Sequence, residues 1–188
     1  MSALRLVFLG APGAGKGTQA ADLAKSCGIP HLSTGDMLRK AVAERTAVGQ
    51  QVEPILAAGK LVEDDVMWAV VSDRLDQRDC GPGFLLDGFP RTLPQGEQLA
   101  AKLAGAKSPL SCAVFFDVPE EELIRRMLGR GRADDKPEVV RERLRNYEKQ
   151  TAPLKDWYLG KGLLRSIDGT GTPADVQSRL RAAVGLAK

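Results

Sequence analysis

The feature that most restricts how this chain can fold is a glycine-rich loop between a short apolar run and a helix-compatible stretch. The apolar run covers residues 4–9, the loop at 10–18 reads GAPGAGKGT, and a helix is predicted over 16–26. Glycine allows a close backbone approach that a Cβ would block, and the N–H groups at a helix N-terminus attract anions. The context therefore predicts a phosphate-binding loop rather than a glycine turn with only a structural role.

Position 17 separates this loop from the common G-x-x-x-x-G-K-[ST] pattern, because it holds glycine where the pattern has serine or threonine. In the common pattern that hydroxyl contacts Mg²⁺, and the lysine reaches the β and γ phosphates. Lys16 keeps the lysine role, whereas the hydroxyl moves to Thr18, so its usual contact with Mg²⁺ is not assumed. We interpret Gly17 as the mark of a variant loop, not of a damaged one.

Short apolar runs alternate with longer amphipathic stretches along the chain, which predicts a parallel sheet with crossover helices. Strands are predicted over 4–9, 29–32, 84–86, 112–116 and 163–167. Helices are predicted over 16–26, 36–43, 64–77, 95–104, 120–128, 137–157 and 174–187. The predicted class is therefore α/β, a three-layer sandwich with five parallel strands in one domain spanning 1–188. Two segments interrupt the alternation, 33–62 and the polar 129–137, and we expect both to move.

Composition argues against several other classes of protein. A net charge of +3 suits an anionic ligand without requiring nucleic acid. The apolar runs are shorter than the roughly 20 residues of a spanning helix, so we expect a cytoplasmic protein without membrane contact. Cys27, Cys80 and Cys112 form no C-x-x-C pair and His31 is the single histidine, which favours neither a disulfide framework nor a zinc site. His31 is expected to be an ordinary strand-edge or loop residue.

Two further segments carry side chains suited to a phosphorylated ligand. LSTGDMLRK at 32–40 offers the Thr34 hydroxyl and the Arg39 guanidinium, with a helix-capping turn as the alternative interpretation. DGFPRTLPQ at 87–95 places Asp87 at the carboxyl end of the third predicted strand, where open α/β sheets bind ligands. Asp87 suits Mg²⁺ held through water, and Arg91 suits a phosphate gripped by two hydrogen bonds.

A third cluster contains seven arginines between residues 125 and 145. They are Arg125, Arg126, Arg130, Arg132, Arg141, Arg143 and Arg145. A solvated helix face, balanced by nearby Asp and Glu residues, is an equally weighted interpretation for Arg125, Arg141 and Arg145.

Together these segments resemble the adenylate kinases and their nucleoside-monophosphate kinase relatives, in the short-lid form. The matches are the G-x-P-G-x-G-K-G-T loop, LSTGDMLRK, GKLV at 59–62, DGFPRTLPQ, the arginines and TAPL at 151–154. The resemblance implies reversible transfer of the terminal phosphoryl group of Mg-ATP to AMP, giving two ADP. It also implies a monomer with a small helical monophosphate-binding segment at 33–62 and a very short lid at 129–137.

The resemblance further implies roles for individual residues. Contacts with ATP are expected from Gly13, Ala14, Gly15, Lys16, Gly17, Thr18, Arg126, Arg130 and Gly171. Contacts with AMP are expected from Thr34, Arg39, Lys60, Leu61, Val62, Gly88, Phe89, Pro90, Arg91, Gln95, Arg132 and Arg143. The catalytic charges are expected to be Lys16, Arg91, Arg126, Arg130, Arg132 and Arg143. Magnesium is expected and zinc is not, because the lid lacks the cysteines of long-lid members.

The lid is where the sequence departs from the family, since only Gly131 separates Arg130 from Arg132. Which of these two arginines contacts which nucleotide is therefore left open. Within the enzyme class, a UMP/CMP kinase is the alternative, although Thr34 and the Arg91-Thr92 pair favour the adenylate form. Outside it, a GTP-driven switch would need an N-K-x-D segment that the chain lacks, and a nucleic-acid-binding module would need more interleaved aromatics.

Overall fold

The five strands form one parallel sheet in the order β2-β3-β1-β4-β5. The computed structural model describes residues 3–129, 131 and 136–186. The strands are β1 (Leu4–Leu9), β2 (His31–Ser33), β3 (Gly83–Asp87), β4 (Cys112–Asp117) and β5 (Leu164–Asp168). All neighbouring strands run parallel. The predicted α/β class with a five-stranded parallel sheet is confirmed.

Helices cover both faces of this sheet. They are α1 (Lys16–Cys27), α2 (Thr34–Ala43), α3 (Ala47–Ala57), α4 (Asp64–Leu75), α5 (Leu93–Gly105), α6 (Glu120–Gly129), α7 (Pro137–Asn146), α8 (Pro153–Gly160) and α9 (Pro173–Ala183). The interruption at 33–62 holds α2 and α3 with no strand beyond Ser33, as predicted. Within the described part of the chain, none of the helices is long and apolar enough to cross a membrane.

The prediction of one helix over 137–157 is wrong. Helix α7 ends at Asn146, a π-helical turn covers Tyr147–Thr151, and α8 begins at Pro153. Pro153 has no N–H to donate to the preceding turn, and the Ala152 N–H bonds instead to the Tyr147 carbonyl at 2.8 Å, five residues back. The apolar spacing continues through this wider turn, so hydrophobic periodicity does not reveal the break.

Side chains of the central strand β1 alternate between two apolar cores. Leu6 and Phe8 point into the core beneath α1, α6 and α9, where the Phe8 ring lies 5.0 Å from that of Phe116. Val7 and Leu9 point into the opposite core, and all four β1 residues are buried. Because successive strand residues face opposite sides, a strand that is apolar at every position must be covered on both faces. This burial makes β1 a rigid support for the loop that follows it.

The strand order places a crevice at the carboxyl end of β1. From β1 the chain crosses to β2 and β3 on one side, and later to β4 and β5 on the other. Connections that leave a central strand in opposite directions open a gap between the loops, and ligands of α/β sheets bind in such gaps. The glycine loop follows β1, and Asp87 ends the neighbouring β3.

Candidate active site

A cleft of about 840 Å³ lies at this crevice and gathers most of the sequence-predicted site residues. Those that line it are Gly13, Gly15, Lys16, Gly17, Thr18, Thr34, Arg39, Lys60, Leu61, Val62, Asp87, Gly88, Pro90, Arg91, Gln95, Arg126 and Arg143. Ala14 and Phe89 are instead buried at 1% and 0% exposure, so their side chains belong to the core. Arg130 and Arg132 lie outside the described residues. A cleft of this volume suits nucleotide-sized ligands.

The glycine loop is shaped by its backbone. Gly13 has φ of +88°, and a Cβ there would come within 2.7 Å of the Leu123 carbonyl oxygen on α6, so only glycine fits. The Lys16 ammonium donates to the carbonyls of Gly10 at 2.7 Å and Ala11 at 2.9 Å. The loop and the N-terminus of α1 thus present backbone donors and one ammonium to the same space, which is the arrangement that binds phosphate.

Asp87 lies close to the space that glycine leaves open at position 17. A Cβ on Gly17 would lie 3.3 Å from Asp87 Oδ2, closer than the usual contact distance for such an atom. The serine or threonine of the common loop pattern would therefore crowd the carboxylate that ends β3. The glycine at position 17 thus leaves room for the Asp87 carboxylate beside the loop.

The Asp87 carboxylate is held in its charged form. Burial raises its pKa, but His31, Lys16 and Arg91 lower it by a larger amount, so the pKa lies below the ordinary value. His31 lies on the edge strand β2, as predicted, yet its Nε2 is 3.5 Å from Asp87 Oδ2 and its side chain lines the cleft. Nothing in the local sequence indicates this contact, because it depends on the parallel register between β2 and β3.

Asp87 fits the chemistry of a magnesium site. Mg²⁺ keeps several waters and binds to proteins through one or two carboxylates together with substrate phosphates. Among the residues that the structure describes, no three or more Asp, Glu, His or Cys side chains are grouped so that they could hold a metal ion by themselves. A single ionised carboxylate beside the phosphate loop matches a hydrated ion better than an all-protein cage.

The opposite wall of the cleft is built from side chains. Thr34 is 1% exposed, and its hydroxyl donates to the Gly88 carbonyl at 3.0 Å. Arg91 Nε donates to the same carbonyl at 2.7 Å. Burial lowers the pKa of Arg91, although Asp87 acts in the opposite direction. The capping interpretation also holds in part, because Ser33 Oγ accepts from the Asp36 N–H at 3.3 Å and caps α2.

Arg39 and Gln95 line the cleft in different states. The Arg39 guanidinium donates to Asp36 at 2.6 Å and is 41% exposed. Gln95 is only 2% exposed and both of its amide atoms are bonded. Its Oε1 accepts from the Arg91 N–H at 2.7 Å, and its Nε2 donates to Asp64 at 2.7 Å. Gln95 is therefore fixed in place, whereas Arg39 is partly exposed and paired with Asp36 at the surface.

Arg126 extends from α6 toward the glycine loop. Its Nε donates to Glu122 at 2.6 Å and its Nη1 to the Gly169 carbonyl at 3.1 Å. Hydrogen bonds from Arg125 and then from Arg126 lower the pKa of Glu122 to about 2. A Cβ on Gly15 would lie 3.8 Å from Arg126 Nη1, which places this guanidinium over the loop.

The other described arginines of the 125–145 cluster fall into two groups, one that lines the cleft and one on solvated helix faces. Arg143 lines the cleft from α7. Arg125 and Arg145 are 74% and 64% exposed and pair with glutamates on their own helices. Arg141 is exposed as well. The solvated-face interpretation is therefore correct for these three, and the cleft draws on Arg126 and Arg143 among the described arginines of this cluster.

Gly171 lies in the turn after β5 and does not line the cleft. The Arg179 guanidinium braces this turn by donating to the carbonyls of Asp168 and Thr170, both at 2.7 Å. Gln19 on α1 is 4% exposed and donates to the Pro173 carbonyl at 2.9 Å, which ties α1 to the first residue of α9, directly after this turn. These contacts of Arg179 and Gln19 were not predicted from the sequence. An arginine on an amphipathic helix is usually only a solvated charge, and the Gln19 contact joins residues that are far apart in the chain.

Comparison with known proteins agrees with the sheet and the cleft. The family model "ADK: Adenylate kinase" matches residues 8–163. The chain is similar to an adenylate kinase of Stenotrophomonas maltophilia (strain K279a), at 45% identity over 185 residues that cover 96% of this chain and 99% of that protein. It is 44% identical to an adenylate kinase of Brucella ovis over 187 residues, covering 94% and 96% of the two chains. The chain belongs to the adenylate kinase family.

Proposed function

We propose that this protein transfers the terminal phosphoryl group of Mg-ATP to AMP, reversibly, to give two ADP. One observation carries the proposal: the glycine loop, Asp87 and the Thr34, Arg91 and Gln95 side chains all line a single cleft. A chain that bound only a triphosphate would not need the second set. Family membership favours this activity over a GTP-driven switch or a nucleic-acid-binding module.

The triphosphate binds on the glycine-loop side. Backbone N–H groups of the loop, from Gly13 to Thr18, surround its phosphates, and Lys16 moves from the Gly10 and Ala11 carbonyls onto them. Arg126 contributes a second positive charge over the loop. The turn at Gly171 lies outside the lining of this cleft, and its backbone is proposed to contact the adenine where ATP extends beyond it.

The monophosphate binds on the side-chain wall. Arg91 and Arg39 hold its phosphate, and Arg39 exchanges Asp36 for the ligand. Gln95 contacts the base, which lies along the strip from Lys60 to Val62. Gly88, Phe89 and Pro90 take part through their backbone, consistent with the complete burial of the Phe89 side chain.

Catalysis then consists of alignment and charge stabilisation. The two phosphates must meet in line, while cationic groups stabilise the charge on the oxygens of the transferred group. Lys16, Arg91, Arg126 and Arg143 supply that charge together with Arg130 and Arg132. No general base is required, because the attacking phosphate oxygen is already an anion. Asp87 would hold hydrated Mg²⁺, which neutralises phosphate charge when bound.

Water competes with AMP for the phosphoryl group. Segments 33–62 and 129–137 are proposed to close over both nucleotides before transfer and so exclude water. The same proposal describes a cytoplasmic monomer with ATP, AMP and ADP as its partners, without zinc, nucleic acid or membrane.

A substrate comparison tests the function. ADP formation is measured from Mg-ATP with AMP, CMP, UMP or GMP offered separately, and with ATP alone. We expect AMP to be the best acceptor and ATP alone to give negligible hydrolysis. A preference for UMP and CMP would assign the chain to the pyrimidine kinases instead, and equal turnover without any acceptor would contradict the closing of the cleft.

A further inference from the structure

A part-buried hydrogen-bond network surrounds the Gln95 amide in the cleft, where Gln95 itself is 2% exposed. Asp64, the first residue of α4, accepts from Gln95 Nε2 at 2.7 Å through Oδ1 and from the Thr92 hydroxyl at 2.9 Å through Oδ2. Thr92 in turn accepts from the Gln95 N–H at 3.3 Å and caps α5. On the other side of the amide, Gln95 Oε1 accepts from the Arg91 N–H at 2.7 Å. Each of the two amide atoms thus has one partner in the protein.

The chemistry of these partners fixes which way the amide points. A backbone N–H can only donate, so the atom beside Arg91 must be the oxygen of Gln95. A carboxylate can only accept, so the atom beside Asp64 must be the nitrogen. Rotating the amide by half a turn would set two donors against each other at Arg91 and two acceptors against each other at Asp64. Because Gln95 is only 2% exposed, unmatched atoms of its amide would gain little from water and would be costly.

The bonds that remain define a hydrogen-bonding pattern for the ligand. Gln95 Nε2 keeps one N–H, and Oε1 keeps one acceptor position. Adjacent donor and acceptor positions match a base edge with a ring-nitrogen acceptor beside an amino group, as in adenine. They mismatch an edge with a ring N–H beside an oxo group, as in hypoxanthine or guanine. Reading the second pattern would require the rotated amide.

We propose that Asp64 is a specificity-determining residue, which makes the site choose amino over oxo purine monophosphates by locking the orientation of Gln95. The proposal rests on the assignment of Gln95 to the monophosphate base. Asp64 acts as a positioning residue, since it accepts a hydrogen bond from Gln95 and does not itself line the cleft. The backbone N–H of Arg91 also fixes the orientation of Gln95, and no side-chain substitution removes that hydrogen bond.

Asp64→Asn tests this role with little change in shape. The asparagine amide offers either an oxygen or a nitrogen to Gln95, so both orientations of Gln95 find a partner on that side. AMP and IMP are the matched acceptors, because they differ only in the edge that Gln95 reads. We expect the ratio of kcat/KM for AMP to that for IMP to fall about tenfold, as one charge-assisted hydrogen bond ceases to discriminate.

Asp65→Asn is the control. Asp65 is exposed in the same first turn of α4, so its substitution removes the same charge from the same helix end. Its AMP to IMP ratio should equal that of the wild type. Asp64→Ala removes the acceptor altogether and should also lower the AMP to IMP ratio of kcat/KM. Agreement between the two variants would show that the change does not come from a folding defect of the asparagine variant.

The outcomes separate this proposal from the function on which it rests. An unchanged ratio in both Asp64 variants, or equal losses with AMP and IMP, would overturn the role of Asp64 in specificity and leave it a structural residue. A wild-type enzyme that does not phosphorylate AMP at all would contradict the proposed function and, with it, the role of Asp64 in specificity.

Discussion

The two walls of the cleft offer different kinds of groups to the phosphorylated ligands proposed for them. The glycine-loop wall uses backbone groups whose positions are set by chain geometry, with Gly13 packed against the α6 backbone. The opposite wall uses side chains, such as Arg91 and Gln95, whose positions depend on hydrogen bonds to other parts of the chain. Backbone recognition tolerates any nucleobase but not a change of loop shape, whereas side-chain recognition selects the base and is altered by single substitutions.

The largest expected effect is on the loop wall, at Lys16, whose ammonium is proposed to reach the phosphates. Lys16→Met removes the ammonium but keeps a similar length and the backbone donors. We expect kcat to fall by about 10³ while ATP still binds, since removal of one preorganised charge donor costs about 10²–10³. Steady-state kinetics and a separate ATP titration measure the two quantities. A loss confined to ATP affinity would place Lys16 in binding only.

Arg91→Lys probes the side-chain wall with the charge retained. Lysine cannot reproduce the planar fork or the bond from Nε to the Gly88 carbonyl. We expect kcat/KM for AMP to fall about 100-fold, in line with the loss of one bidentate charge-assisted contact. The KM for ATP should change less than twofold. Comparable losses for AMP and for ATP would contradict the proposal that the two walls bind different substrates.

Gly17→Ala tests the contact between the walls, where the loop approaches Asp87. The added Cβ would stand 3.3 Å from Asp87 Oδ2, so the carboxylate must shift. We expect kcat at limiting Mg²⁺ to fall severalfold, while thermal stability holds or rises, because alanine is favoured over glycine in a helix by about 1 kcal/mol. Normal activity with an unchanged magnesium requirement would contradict the expectation that a side chain at position 17 disturbs the Asp87 carboxylate.

The smallest expected effect concerns the support of Arg126. Glu122→Gln weakens the ion pair that holds this guanidinium, and we expect a modest fall in kcat and in the melting temperature at neutral pH. Because the pKa of Glu122 is lowered from 4.5 to about 2, its stabilising contribution is present above pH 4.5 and is lost as the pH falls through about 2. The melting temperatures of variant and wild type should therefore converge over that interval. A constant difference would mean that the charge of Glu122 is not the cause.

The same contrast explains how far the sequence predicts the structure. The glycine loop, the strands and most helices follow from local patterns, because apolar alternation and glycine spacing reflect nearby geometry. The break at Tyr147–Thr151 does not, since a π-helical turn has no compositional signal. The proposed role of Asp64 does not follow from a local pattern either, because an acidic residue at the start of a helix is common for reasons of charge alone. Its bond to Gln95, 31 residues away, exists only in the folded chain.

The most direct test of the account is a crystal structure with a bisubstrate mimic, two adenosines joined through a chain of phosphates. The account predicts one mimic per chain, with one end on the glycine-loop side and the other beside Gln95. Lys16, Arg91, Arg126 and Arg143 should surround the phosphates between them. Guanidinium groups turned outward into solvent, or a mimic bound at the loop alone, would contradict the claim that two nucleotides meet in this cleft.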